Sequence, residues 1–177
     1  MLDFKSVVMA GFLSATLAVG PVQAGTPADV LVVAQNIDDI VTIDPASAYE
    51  FSSGEYVANT YDTLVRYDAT DTTVLSPALA TDWTVDADAK TVVFTLRDGV
   101  TFHSGNPLTG KDVAGSWTRV VTLDKAPAFI LRQLGWTPEN IAEMVTVDGN
   151  TITVKYEGDF APSFVLNVLA ARPASIV

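Results

Sequence analysis

The pattern of apolar and polar residues predicts several strands along this chain, some from continuous apolar runs and some from alternation. Residues 30–35 form an apolar run typical of a buried strand, and the aspartate-rich residues 37–45 predict a loop that leaves its carboxyl end. Residues 81–85 alternate, and residues 91–96 resume as a strand after a turn over residues 86–90. This second pattern predicts a β-hairpin with a five-residue loop.

A second hairpin is predicted farther along the chain. Residues 145–147 and 151–156 are strand-like and are joined by Asp148-Gly149-Asn150, a strong turn sequence. Between the two hairpins, residues 97–100 predict a tight turn leading into Thr101, Phe102 and His103. We expect His103 to hydrogen-bond inside a turn rather than to act as a base.

Helical periodicity predicts four helices. The first is capped by Ser52 or Ser53, and its apolar face comprises Tyr56, Val57, Tyr61 and Leu64. The second begins after Thr109, with Asp112 in the capping-box position, and its apolar stripe comprises Val113, Trp117, Val120 and Val121. A short helix is expected to start at residues 137–139 and a last apolar helix to cover residues 163–169. Trp117 is expected in the core.

The amino-terminal residues 1–24 are typical of a signal peptide. Lys5 precedes an apolar run over residues 7–19 that is too short to span a bilayer core, and Val22-Gln23-Ala24 suits cleavage before Gly25. The sequence lacks cysteine, so a lipid anchor at a lipobox cysteine is not expected. We therefore expect an exported, soluble, unanchored product in the periplasm.

The amino-acid composition excludes several kinds of functional site and binding partner. Without cysteine and with a single histidine, the chain has neither disulfides nor thiolate metal sites, and a serine triad would depend on His103. With 21 acidic and 10 basic residues, it is a poor binder of nucleic acid. Residues 29–88 hold twelve acidic residues and one base, Arg66. Those carboxylates either form a solvated surface or face a cationic group on a ligand.

Paired carboxylates are the remaining candidates for catalysis. Asp38 and Asp39 are the most suggestive pair, but neighbours in an extended chain point to opposite sides and would not share a proton. The sequence has no G-x-S-x-G turn and no glycine-rich phosphate loop. We expect no catalytic residue, no metal site and no cofactor.

Most of the chain resembles a known family. The resemblance begins at Ile43-Asp44-Pro45-Ala46 and continues through residues 57–68 and 75–83. It is most specific in LRDGVTFHSGNPLTGKDV, residues 96–113. In order and spacing these residues closely resemble the amino-terminal part of the peptide/nickel solute-binding proteins of ABC transporters, the dipeptide- and oligopeptide-binding type.

The resemblance implies a mixed α/β (α+β) fold of the type II periplasmic binding protein class, present in part. After the signal peptide over 1–24, residues 25–45 would start the main lobe. Residues 46–160 would form the family's extra α+β subdomain, and residues 161–177 would return towards the main lobe. The chain is then expected to be a truncated fragment that lacks the second lobe.

The implied function is that of a binding protein and not of an enzyme. It would capture a small peptide or peptide-like solute and deliver it to ABC transporter permease subunits in the inner membrane; the single histidine disfavours the nickel branch. The alternatives are a secreted hydrolase using paired carboxylates and an inactive truncated remnant.

Two segments resemble family regions that line the ligand cleft, residues 37–39 and 49–54. A charged peptide amino terminus needs a carboxylate, and an extended peptide needs paired backbone donors and acceptors. We expect Asp38, Asp39 or Glu50 to receive the amino terminus and Tyr49 and Phe51 to form apolar walls. Ser53 completes the expected ligand-binding set.

Overall fold

The computed structural model describes residues 25–177, and the predicted signal peptide lies outside this range. The chain divides into two units, of which the first ends at Gln35 and the second covers Asn36–Val177. In the first unit, residues 30–35 are neither helix nor strand, and Leu31 is 87% exposed. The predicted buried strand is therefore wrong. A run of apolar residues forms a strand only where its backbone N–H and C=O groups pair with those of a neighbouring strand. No strand in the described part of the chain pairs with residues 30–35.

The second unit contains every regular element in the described part of the chain. The helices are α1 Phe51–Thr60, α2 Gly110–Leu123, α3 Ala128–Arg132, α4 Ile141–Met144 and α5 Pro162–Leu169, followed by a 3₁₀ turn at Arg172–Ala174. The strands are β1 Val65–Tyr67, β2 Leu75–Pro77, β3 Ala80–Asp86, β4 Thr91–Leu96, β5 Val145–Asp148 and β6 Thr151–Lys155. None of the helices in residues 25–177 is long and apolar enough to span a membrane.

Both predicted hairpins are confirmed and join in one antiparallel sheet of order β3-β4-β6-β5. Phe94 of β4 lies opposite Ile152 of β6, and both side chains are fully buried. Gly149 turns the second hairpin with a positive φ of 57°, a conformation that glycine adopts without strain. β1 and β2, which the sequence pattern did not predict, form a separate two-stranded sheet.

Helix α2 packs its predicted apolar stripe into the core. Its amino terminus is held by Asp112, whose carboxylate accepts hydrogen bonds from the Thr109 backbone N–H and hydroxyl, both at 2.7 Å. Trp117 is fully buried, its ring centre lies 5.6 Å from that of Trp136, and its indole N–H donates to the Ala174 carbonyl at 2.9 Å. The predicted core position of Trp117 is confirmed.

The other helix predictions are confirmed in position but not in their bounds. Glu50, not Ser52 or Ser53, is the N-cap of α1, and the helix ends before Tyr61. The helix expected at residues 137–139 begins at Ile141, because the Asn140 side chain accepts the Thr137 N–H at 2.8 Å and closes a turn there. Helix α5 occupies the predicted place.

The segment between β4 and α2, residues 97–109, contains the predicted turns and no helix or named strand. Residues 103–105 form a turn in which Gly105 has a φ of 84°, and residues 101 and 107 form an isolated antiparallel bridge. His103 lies exposed in this turn, so its predicted location is confirmed. The predicted hydrogen bond is wrong, because none of the side-chain hydrogen bonds found in residues 25–177 involves the His103 imidazole, which is exposed to solvent.

Candidate functional site

The turn before α1 is anchored from a distant helix. Arg119 of α2 contacts both carboxylate oxygens of Asp44 with its two terminal nitrogens, one at 2.8 Å. The same carboxylate accepts the Ala46 N–H at 3.0 Å, and the Asp44 carbonyl accepts the N–H groups of Ser47 and Ala48. Hydrogen bonding from Arg119 lowers the pKa of Asp44. These contacts fix the backbone that leads into Tyr49.

Asp39 lies at the amino terminus of α1. Its carboxylate accepts the backbone N–H of Ser52 at 3.1 Å, and the Ser52 hydroxyl reaches the Asn36 carbonyl at 3.4 Å. Hydrogen bonds from Ser52 lower the pKa of Asp39. Since a helix amino terminus also favours negative charge, Asp39 is ionised at neutral pH and helps to cap α1.

Glu50 supplies a second ionised carboxylate at the same helix end. Its Oε2 accepts the Tyr49 N–H at 3.2 Å, and backbone hydrogen bonds from Glu50 itself and from Tyr49 lower its pKa. A pair of carboxylates that shares a proton would show one strongly raised pKa. The pKa values of Asp39 and Glu50 are both lowered instead, so the two carboxylates are negatively charged at the same time.

Exposed aromatic rings flank these carboxylates. Phe51 is 90% exposed and Tyr49 is 57% exposed, so more than half of the surface of each residue is uncovered within the described residues. The ring of Tyr49 lies edge-on to that of Phe129, with centres 5.9 Å apart. Phe129, from α3, is half exposed and extends the aromatic surface. The sequence pattern does not predict α3, so Phe129 is not among the expected site residues.

Ser53 and Asp38 occupy different surroundings. Ser53 is buried, and its hydroxyl is the one buried side-chain polar atom in the described chain without a hydrogen-bond partner. Asp38 is exposed in the loop before α1, where its backbone N–H donates to the Asn36 side chain at 2.7 Å. The structure therefore gathers five of the six predicted residues at the start of α1 and leaves Asp38 in the preceding loop.

Arg172 is a further residue at this place. A Cβ at Gly54 would collide with its guanidinium group, so the glycine makes room for the arginine against α1. Arg172, Tyr49 and Glu50 line a small hollow of about 50 Å³. No local pattern predicts Arg172 at this surface, because it lies more than a hundred residues after α1. We call Asp39, Tyr49, Glu50, Phe51 and Arg172 the α1-start surface.

The fold is that of a known class of proteins. It matches type II periplasmic binding proteins, including the substrate-binding domain of an oligopeptide ABC transporter from Bacillus anthracis, with a TM-score of 0.67 and 25% identity. That match covers 76% of this chain and 27% of the other. The murein tripeptide binding protein MppA of Escherichia coli matches with a TM-score of 0.64 and 25% identity over 77% of this chain and 28% of its own.

Sequence comparison identifies the family. Residues 74–177 match the family described as bacterial extracellular solute-binding proteins, family 5 Middle, and this chain belongs to that family. It is 28% identical, over 99% of its length, to the probable D,D-dipeptide-binding periplasmic protein DdpA of Escherichia coli. The alignment covers 32% of that relative, so the chain spans about a third of its length.

Proposed function

We propose that this chain binds a small peptide or peptide-like solute as part of the substrate-binding component of an ABC transporter. In this proposal the protein acts in the periplasm and delivers the solute to a membrane permease. Membership of the solute-binding family supports the binding role. The names of its relatives DdpA and MppA, which refer to D,D-dipeptides and a murein tripeptide, support the class of solute.

The observation that carries the proposal is the pairing of charge and exposed aromatic area on the α1-start surface. Asp39 and Glu50, whose pKa values are lowered, are both negatively charged at neutral pH and could pair with the cationic amino terminus of a peptide. Phe51 and Tyr49 offer apolar area for a peptide side chain beside that charge. Asp38, in the preceding loop, adds negative charge near the same end of α1 and is proposed as a weaker contributor.

The small volume of the hollow on this surface sets the expected affinity. Ligand pockets usually enclose about 300–1,000 Å³ and bury most of the ligand. The hollow beside Tyr49 and Glu50 measures about 50 Å³. We therefore expect this chain to bind dipeptides with a dissociation constant in the millimolar range, and we propose that tight binding needs a wall outside the chain.

The experiment is a titration of the chain with the dipeptide Ala-Phe, followed by NMR or calorimetry. The Phe51→Ala variant should weaken binding about three- to tenfold, because it removes the most exposed aromatic wall. Phe160→Ala is the matched control, since Phe160 is also partly exposed but stacks on Phe164, with ring centres 4.7 Å apart. It should bind as the unmodified chain does.

N-acetylation of the same dipeptide tests the carboxylates. Removing the positive charge from the peptide should weaken binding severalfold and make the affinity insensitive to Glu50→Gln. Equal loss in Phe51→Ala and Phe160→Ala, or equal affinity for acetylated and free peptide, would contradict the proposed site.

A further inference from the structure

A larger cavity lies at the other end of α1. Its volume is about 530 Å³, within the range typical of sites for small molecules. It is lined by residues from four places in the sequence: 60–62, Leu79, 100–104 with Leu108, and 176–177. We call it the Phe102 cavity. It shares no residue with the α1-start surface, since α1 rises about 14 Å between Phe51 and Thr60.

Residues 100–108 form one wall of the Phe102 cavity as a small hairpin. The Leu108 N–H donates to the Val100 carbonyl and the Phe102 N–H to the Asn106 carbonyl, both at 2.9 Å. The isolated antiparallel bridge lies between these two pairs. Side chains alternate between the faces of an extended chain, and residues opposite each other share a face. Val100, Phe102 and Leu108 therefore lie on one face of the hairpin, where all three are half-buried and line the cavity.

Two buried residues complete the apolar lining. Leu79 is 8% exposed and Ile176 is 4% exposed. The Leu79 N–H donates to the Thr63 carbonyl at 3.1 Å, and the Ile176 N–H donates to the Asp62 carbonyl at 2.9 Å. Backbone hydrogen bonds thus hold each wall in place, so the cavity is formed before any ligand binds, as is usual for small-molecule sites.

The charges around the Phe102 cavity disfavour anions. Asp62 is the one carboxylate that lines it, and none of its described lining residues is lysine or arginine. The chain as a whole carries a net charge of −11. An anion that entered the cavity would lose hydration without gaining a cationic partner. The exposed residues Thr60, His103 and Ser104 supply hydrogen-bonding groups to a neutral ligand.

We propose that the Phe102 cavity binds a small neutral molecule that carries an aromatic ring and a polar group such as a hydroxyl. The apolar face of the hairpin, together with Leu79 and Ile176, provides the surface that such a ring would bury. Phe102 and Tyr61 are aromatic partners for the ring. This site is additional to the α1-start surface, and the inference does not rest on the proposed function.

The test titrates the unmodified chain with benzyl alcohol, so that it does not depend on a variant folding. Backbone NMR signals of residues 100–104, Leu108 and residues 176–177 should show saturable shifts. Benzoate has the same ring but a negative charge, and it should bind at least about fivefold more weakly because its carboxylate must lose hydration. Glycerol, which has hydroxyl groups but no ring, should cause no saturable shift.

A variant that fills the cavity locates the binding. Val100→Phe should weaken the binding of benzyl alcohol at least about tenfold, because the larger side chain takes up space that the ligand needs. Val74→Phe is the matched control, since Val74 is 49% exposed and does not line the cavity. It should bind benzyl alcohol as the unmodified chain does. Denaturant unfolding of both variants checks that each is folded.

Four outcomes would overturn the inference. They are the absence of saturable shifts with benzyl alcohol, saturable shifts confined to Tyr49 and Phe51, affinity for benzoate equal to that for benzyl alcohol, and equal loss of binding in Val100→Phe and Val74→Phe. Shifts of residues 100–108 that appear without ligand as the protein concentration rises would show that a second copy covers the cavity, and would overturn it as well. If Ala-Phe binds at the α1-start surface and benzyl alcohol does not bind, the proposed function stands and this inference fails.

Discussion

Many acidic side chains of residues 29–88 hold turns together. Asp68 accepts hydrogen bonds from the Thr70 hydroxyl and N–H and from the Asp71 N–H, and those from Thr70 are the main cause of lowering its pKa to about 2. Asp71 and Asp86 accept comparable bonds in their own turns. Counting charges along the sequence shows an acidic region but does not separate these turn acceptors from Glu50, whose place beside exposed aromatic rings depends on the fold.

The ion pair between Asp44 and Arg119 is the residue-scale contact whose removal we expect to be measurable. Both side chains are partly exposed, so we expect a coupling energy of about 0.5–1 kcal/mol. Denaturant unfolding of Asp44→Asn, Arg119→Gln and the double variant at pH 7 gives this coupling. Strictly additive effects of the two single variants would show that the pair adds no stability.

The same pair predicts a pH dependence. The pKa of Asp44 is lower in the folded chain than in the unfolded chain, where it is about 3.9. Its stabilising contribution is therefore complete above about pH 5 and is lost as the pH falls below 4, through the folded-state value. The stability difference between the unmodified chain and Asp44→Asn should shrink over that window. A difference that stays constant from pH 7 to pH 3 would contradict this assignment.

At the scale of elements, helix α2 offers two glycines in opposite surroundings. A Cβ at Gly110 would meet the Val147 side chain and lie 2.7 Å from Ile152 Cδ1, whereas a Cβ at Gly115 would meet nothing within 4 Å. Gly110→Ala should therefore lower the free energy of unfolding by about 1–3 kcal/mol, because the added methyl group overpacks the core. Gly115→Ala should stabilise the chain by about 0.5–1 kcal/mol through helix propensity. Denaturant midpoints of the two variants should shift in opposite directions, and shifts of equal sign would contradict the packing of α2 on the second hairpin.

The elements that can be predicted from the sequence are those whose apolar pattern and end signals lie within one short segment. Both hairpins and α2 carry their own turn and capping residues, so a local pattern is enough to place them. The strands β1 and β2 have three residues each and exist because Val65 pairs with Pro77 and Tyr67 with Leu75 across a loop. Residues 30–35 show the converse error, since an apolar run alone does not provide a ladder partner.

At the scale of the whole molecule, the site combines local and distant residues. Asp39, Tyr49, Glu50 and Phe51 are close in sequence, and their grouping could be predicted from the family resemblance and the start of a helix. Phe129 and Arg172 lie about eighty and a hundred and twenty residues further along the sequence. Their positions follow from the packing of α3 and the 3₁₀ turn at Arg172–Ala174 near α1, which sequence periodicity does not encode.

Trp117 is the centre of that packing. It is fully buried, contacts Trp136 and is hydrogen-bonded to Ala174, two residues after Arg172. Trp117→Ala should cost about 3–5 kcal/mol of unfolding free energy, measured by denaturant unfolding. A cost below 1 kcal/mol would mean that the core is not organised around this ring.

The central claim, that the start of α1 binds a peptide-like solute, is tested most directly by locating the bound peptide. Backbone NMR signals of the chain are followed while Ala-Phe is added to tens of millimolar. We expect the largest saturable shifts at residues 49–54 and at Arg172, with smaller shifts at Phe129. Saturable shifts confined to other parts of the chain, or no saturable shift at all, would contradict it.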